Sequence, residues 1–475
     1  MRKVNFLFLL LLAVLGSSCR SEKSYEGEWF GLSNKALLTV RFNADSTLDI
    51  VSEASSNMSF SCAYKIKENV DPVQIDLTGA AGGMTGLGIM RINEEQTLEM
   101  CLNFGIPGMT ERPVSFKADP MSMTMQYYKL CRDKENVLGE IAYSIKAPEE
   151  AALAYERNRR LGAGINLNGV VDGNLHPGYQ RDAPLKDDEI VAIAEAGFQS
   201  IRFDICWVKH CQQTAPYTID PAFFEKVDHI VDVCLANDLA VSIDSHYYPY
   251  INMNEEDSLV SYEENFVRLE ALWEQIAEHY KDYPDDMIYF DPLNEPNMRL
   301  GEERWNVTLR SLIKTIRKSN PNKTILVMTP SLGQSWTINY LDLPEDDWNI
   351  IVQFHYYMPH FFTHQGLAYA MADGVGQVDW QGTDEEKAQI EKDLDYVTRW
   401  SQTHHRPVNM GEYGAVNTAT TEARARYLGF VLEAARKRDI SSHLWGYREC
   451  FEICDPQTGK WIPEIMEAMN LKNKN

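Results

Sequence analysis

The chain has 475 residues, 44% of them hydrophobic and 11% aromatic. That is ample for packed cores and too long for one ordinary core, so two or three domains are expected, one of them large. A formal charge of -24 excludes nucleic acid as a natural partner, because a phosphate backbone is recognised by clustered Lys and Arg, and a neutral ligand fits better.

In chain order, Arg2 and Lys3 precede an apolar run from Phe6 to Leu15, then Gly16, Ser17, Ser18 and Cys19. This is the layout of an export signal, too short to span a membrane as a mature helix. Residues 1–18 resemble a bacterial lipoprotein signal. The resemblance implies that Cys19 is lipidated, and that the protein is exported and held by a lipid anchor on a bacterial membrane, facing the periplasm or the outside. The other eight cysteines form no CxxC pair. Scattered so thinly, they read as buried apolar residues or one or two disulfides rather than a metal cluster.

Residues 24–131 alternate with period two: GEW, LLTVRF, TLDIV, SFSCAYKI, PVQIDL, GIMRI, TLEMCLNF and MTMQYYKL, with turns such as NADS and NEEQ between them. Such alternation predicts an antiparallel β domain. Its Gly27-Glu28-Trp29 opening and hairpin meander resemble a small lipocalin-like barrel, with a β-sandwich carbohydrate-binding module as the alternative. Trp29, Tyr127 and Tyr128 read as core aromatics. Residues 132–160, charged and Ala-rich, read as a linker running into a short helix.

From 161 to 472 eight strand-like runs alternate with amphipathic helical ones. They are GINLNG, SIRFDICW, AVSIDSHYY, MIYFDPLNEP, TILVMTP, IIVQFHYY, PVNMGEY and SHLWGY. This predicts a (β/α)8 TIM barrel. A doubly wound sheet is disfavoured because GAGINLNG lacks the spacing of a dinucleotide-binding turn.

Chemistry in such a barrel gathers at the carboxyl ends of its strands. Those ends carry Asn166, Arg202, His246, Asn294 with Glu295, His355 with Tyr357, Glu412, and Trp445. Two strand-end glutamates suggest a paired-carboxylate site, one carboxyl protonated to assist a leaving oxygen and the other ionised to meet an electron-poor carbon. Arg202 is expected to favour the Glu412 anion, and the apolar strand leading to Glu295 to preserve its proton. No cofactor is expected, and no metal, since no HExxH spacing occurs. An esterase reading finds no G-x-S-x-G elbow. Trp207, Tyr248, Tyr250, Phe361, Phe362, Trp380 and Trp445 fall in strand-end loops and are expected to supply several flat platforms for sugar rings.

The stretches GINLN, GFQSIRFDICW, SIDSH, LNEPN, FHYYMPHFFTHQG, GEYG and LWGY together resemble glycoside hydrolase family 5, the cellulase family, from Leu161 to about Asn470. The resemblance implies that Glu295 is the acid/base and Glu412 the nucleophile of a retaining, endo-acting β-glycosidase. It also makes Asn294 a donor to the sugar 2-hydroxyl, Arg202 and Tyr357 the holders of the nucleophile, and His246, His355 and Trp445 the lining of the cleavage point. The implied substrate is a β-1,4-linked polysaccharide, most naturally a glucan. Tyr247 stands where many members have a second histidine, and GYREC lacks the usual second aromatic. The alternative is a surface glycan-binding lipoprotein on the same barrel without catalysis.

Overall fold

The structure is a computed structural model that describes residues 25–471 except 34–35, 54–58, 81–83, 94, 106–107, 109, 118–124, 141–148, 168–184, 253–258, 298, 375, 448 and 456–457. The export signal and Cys19 lie outside the described residues.

The first domain is one closed antiparallel sheet of eight strands: β1 (Gly27–Ser33), β2 (Ala36–Phe42), β3 (Thr47–Ser52), β4 (Phe60–Lys67), β5 (Val73–Ala80), β6 (Met84–Ile92), β7 (Leu98–Gly105) and β8 (Met125–Cys131). Each strand pairs with the next, and β1 closes on β8 through Phe30 opposite Cys131. The β-sandwich alternative is therefore overturned, because a sandwich needs two sheets and this one returns to its own first strand. Alternate side chains turn inward as the pleat requires, and Trp29, Val40, Phe42, Leu48, Ile75, Met90, Met100 and Tyr128 meet inside as a packed core. Trp29 also donates its indole N–H to the Tyr25 carbonyl at 2.8 Å and carries the Arg132 guanidinium 3.8 Å above its ring.

The stretch read as a linker carries a helix at each end. Lys134–Glu140 lays Val137 against Phe30 and Leu37 of the first domain. Ala151–Leu161 puts Leu161 in a fully buried layer with Ala240, Tyr289, Leu326 and Ile351, so this second helix closes the floor of the larger barrel.

That barrel is the eight-stranded parallel (β/α)8 fold that the alternating pattern predicts. Its strands are β9 (Ala163–Leu167), β10 (Ser200–Phe203), β11 (Ala240–Asp244), β12 (Ile288–Asp291), β13 (Ile325–Met328), β14 (Ile350–Tyr356), β15 (Val408–Tyr413) and β16 (Ser441–Leu444). β16 returns to β9 with Ser442 opposite Ala163. Every residue of these strands is buried, as expected of a sheet covered by helices outside and filled by side chains inside. The covering helices start where the sequence says they should. Asp220 accepts from the Ala222 N–H just ahead of Pro221–Ala236, and Thr383 and Glu386 form a reciprocal cap on Asp384–His404. Helix Tyr262–His279 buries Leu269, Leu272, Trp273 and Ile276, a spacing that makes one continuous inward stripe.

Candidate active site

Arg202 is the hub. It is the third residue of β10, it is completely buried, and it makes four hydrogen bonds and a further ion pair with five side chains. Nε donates to Asp291 Oδ2 at 2.8 Å. Nη1 donates to Asn166 Oδ1 at 3.1 Å and to Glu412 Oε1 at 3.0 Å, while Nη2 donates to Asn294 Oδ1 at 2.8 Å and forms an ion pair with Asp244 Oδ2 at 2.8 Å. One side chain thus ties together the ends of β9, β10, β11, β12 and β15. Burial opposes its charge, but the three carboxylates outweigh that and hold its pKa above the ordinary guanidinium value. Burial also pushes Asp244 and Asp291 upward, against the pull of Arg202, since one guanidinium cannot balance every carboxylate around it.

The two glutamates face one imidazole. Nδ1 of His355 lies 2.9 Å from Glu295 Oε1 and 3.4 Å from Glu412 Oε2. A bulge makes this possible: Phe354 pairs with Met410 but His355 pairs with Glu412, so Gly411 is the extra residue on β15. Only glycine fits there, because a Cβ would sit 2.5 Å from the Gln353 side chain. Tyr357 donates its hydroxyl to Glu412 Oε2 at 2.9 Å. Burial, then Glu412, raises that phenol well above its usual range, so it stays a donor. Burial likewise pushes His355 down to about 3 and keeps its ring neutral.

Glu295 sits past the end of β12 with φ at 45°, a left-handed conformation that side-chain-bearing residues adopt only where neighbours enforce it. Here Asn297 donates to the Glu295 carbonyl at 2.9 Å, the Leu332 N–H donates to the Pro296 carbonyl at 3.2 Å, and the Asn252 amide donates to the Asn294 carbonyl. The two carboxyl groups differ in access: the Glu295 side chain is 33% exposed and that of Glu412 only 6%. Glu295, His355 and Glu412 each offer one donor atom, all within 4.8 Å of one another, so among the described residues this is where a cation could be held. On the cleft wall His246 and Trp445 stack, with ring centroids 5.4 Å apart and planes within 10°.

A partly exposed carboxyl group beside a buried, firmly held one is an arrangement suited to acetal cleavage. The sequence of residues 162–449 matches the family described as Cellulase (glycosyl hydrolase family 5). The chain belongs to glycosyl hydrolase family 5.

Among curated relatives, Endoglucanase H of Acetivibrio thermocellus is 29% identical over 295 residues, which cover 61% of this chain and 30% of that protein. Endoglucanase A of Clostridium longisporum is 27% identical over 359 residues, covering 68% of this chain and 66% of the relative. This chain therefore spans less than two thirds of either. The structure of Thermotoga maritima Cel5A with cellobiose superimposes with a TM-score of 0.61 at 32% identity, covering 66% of this chain and 98% of that one. The same protein with mannotriose gives a TM-score of 0.60.

The family 5 domain brings together all nine strand-end residues that the sequence singled out: Asn166, Glu295, Glu412, Asn294, Arg202, His246, His355, Tyr357 and Trp445. Several aromatic platforms need correction. Trp207, Tyr248, Phe362 and Trp380 are buried to 2% exposure or less, because the strand-end loops pack against the helices and these rings join the main core of the barrel. Trp207 spends its indole N–H on the Asp244 carbonyl at 3.0 Å. Phe361 is exposed, and Tyr250 and Trp445 are half-buried. No disulfide joins the eight cysteines from Cys62 to Cys454, and Cys62, Cys101, Cys206, Cys234 and Cys454 are buried, so the buried-residue reading holds for most of them. Asp244 and Asp291 were missed. Their signal was present, since a carboxylate closing a fully buried parallel strand needs a buried cationic partner.

Proposed function

We propose that the family 5 domain is a retaining endo-β-1,4-glycanase acting on a glucan. The observation that carries the mechanism is the spacing: donor oxygens of Glu295 and Glu412 lie within 4.8 Å of each other. Retaining enzymes keep their carboxyl groups at about 5 to 5.5 Å, whereas inverting ones leave about 6.5 to 9.5 Å for a water. Glu412, fixed by Arg202 and Tyr357, attacks the anomeric carbon as Glu295 gives its proton to the departing oxygen. Glu295 then takes a proton from the water that releases the glycosyl-enzyme. His355 donates toward both carboxyl groups and holds them at the distance the two steps share. The endoglucanase names of the relatives support a β-1,4-glucan, and Cel5A in complex with mannotriose makes mannan the second polymer to assay.

Reducing-end release from cellulose derivatives, mixed-linkage glucan, xyloglucan and mannan tests the substrate. Division of labour is tested with an aryl glycoside whose leaving group needs no proton. Glu412→Ala abolishes its turnover, whereas Glu295→Ala gives a burst, slow release, and rescue by azide with retained β configuration. An α product, or no burst and no rescue, overturns the assignment.

Export and anchoring through Cys19 form part of the same proposal, supported by the order of Arg2, Lys3, the apolar run and Gly16 to Ser18. Among the described residues no helix is long and apolar enough to cross a membrane. Cys19→Ala then shifts the protein from the membrane fraction to a soluble or unprocessed pool, because acyl chains supply the anchoring energy. Unchanged partition sinks the anchor.

A further inference from the structure

Asn294 lies between two groups, and one orientation of its amide satisfies both. Arg202 has no acceptor atom, so the group facing its Nη2 at 2.8 Å must be the Asn294 oxygen. That turns the amide nitrogen, a donor, toward His246 Nε2 at 3.3 Å. Nε2 must then be bare, and a neutral imidazole with a bare Nε2 carries its proton on Nδ1. Nδ1 in turn lies 2.8 Å from Oδ2 of Asp244. The same oxygen is ion-paired with Arg202 Nη2 at 2.8 Å, so a second positive group holds it in place. Trp445 sets the plane of the His246 ring, and burial keeps that ring neutral by pushing it down to about 4. In this chain of bonds Asn294 spends its oxygen and one amide hydrogen; its second amide hydrogen is not used.

We propose that Asp244 is a positioning residue: it fixes the His246 tautomer, and through His246 the direction in which Asn294 presents its free amide hydrogen to the sugar 2-hydroxyl. The proposal rests on the glycosidase reading and adds to it a residue that does not itself touch substrate. Without Asp244 the imidazole can carry its proton on Nε2, donor then faces donor, and Asn294 is displaced. Asp244→Asn makes the converse case. Its oxygen can replace Oδ2 as the common acceptor, and its NH2 takes the place of Oδ1, which has no hydrogen-bond partner among the described residues.

Two measurements on the full chain test this. In the first, 15N spectra of histidine-labelled protein identify the His246 signals by their loss in His246→Gln. The Nδ1–H tautomer is expected in wild type and Asp244→Asn, and a shift toward Nε2–H in Asp244→Ala. In the second, kcat/KM is compared for an aryl β-cellobioside and its analogue lacking the 2-hydroxyl at the cleaved sugar. Asp244→Ala is expected to lose about 10²-fold on the parent, the scale of a misplaced contact, and little on the 2-deoxy analogue, with Asp244→Asn close to wild type on both. Equal losses on both substrates mean a merely structural role and overturn the proposal. So does an Nε2–H tautomer in wild type at neutral pH, a result that does not depend on Asp244→Ala folding. If wild type and Glu412→Ala are equally inactive on every glycoside, it is the glycosidase reading that fails, and the spectra still report on Asp244.

Discussion

His443 offers a quantitative check on the barrel interior away from the glutamates. It is fully buried on β16, with Nε2 3.0 Å from Ser200 Oγ and Nδ1 3.4 Å from Asn409 Nδ2. Ser200 spends its hydrogen on the Leu161 carbonyl at 2.6 Å, so Nε2 must be the donor and Nδ1 the acceptor. A second ring proton would point at the Asn409 amide hydrogens. Burial, and then Arg202, push His443 down to about 3. The unfolded chain binds this proton near pH 6.5 and the folded chain does not, so the stability tied to it is full above pH 6.5 and is lost as pH falls toward 3. At 1.36 kcal/mol per unit, and with the unfolded histidine already partly protonated at pH 6, acidification from pH 6 to pH 4.5 removes about 2 kcal/mol. His443→Gln keeps a donor and an acceptor but has nothing to titrate. Urea denaturation of wild type and variant between pH 4.5 and 6 should show their free-energy difference moving by about 2 kcal/mol in favour of the variant as pH falls. Taking the difference cancels His246, His355 and His364, which burial also depresses. Parallel pH dependences would refute the reasoning.

Arg202→Lys replaces four hydrogen bonds and an ion pair with at most three N–H groups, stranding buried acceptors at about 1.5–3 kcal/mol each, so unfolding should shift to markedly lower urea and activity should fall with it. Gly414→Ala would place a Cβ 2.2 Å from the Trp445 carbonyl oxygen, whereas Gly374→Ala meets nothing within 4 Å. The first is expected to cost about 10²-fold in kcat/KM by moving Trp445 off His246, and the second to leave kinetics unchanged. A chain beginning at Pro148 retains helix Ala151–Leu161, including the 2.9 Å bond from Asn158 to the Asp439 carbonyl. It should fold and hydrolyse a soluble glycan, while a chain beginning at Gly162 should melt lower in calorimetry.

The parts of the site that sequence made legible are those where the local pattern itself is the physics. A strand that ends in Asn-Glu-Pro stops there because proline cannot continue the ladder, so Glu295 had to be at a rim. Glu412, before Tyr413 and Gly414, was readable for a similar reason. Asp244 and Asp291 were harder because each closes its strand two or three residues before the polar group that drew attention, and its partner Arg202 is contributed by another strand. The bulge at Gly411 could not be read at all, since register depends on the neighbouring strand and not on the strand's own sequence. Loop aromatics failed for the opposite reason. Trp207 and Trp380 lie in loops by sequence, yet a loop packed over helices adds its rings to the barrel's core, and which face of a ring meets water is decided by tertiary contacts.

The pairing of Ser442 with Ala163 also has a meaning in time. The large barrel cannot close until its last strand exists, and Arg202 cannot meet Glu412 until more than two hundred residues separating them have been made. The first barrel needs nothing beyond Cys131 to join β8 to β1. During synthesis, which proceeds domain by domain from the N-terminus, the small barrel is complete while the chain that will enclose the glutamates is still open. A defect in the last strand thus leaves a finished N-terminal domain attached to an unclosed sheet with two exposed edges. That species, rather than a wholly unfolded chain, is the one that chaperones and proteases must handle.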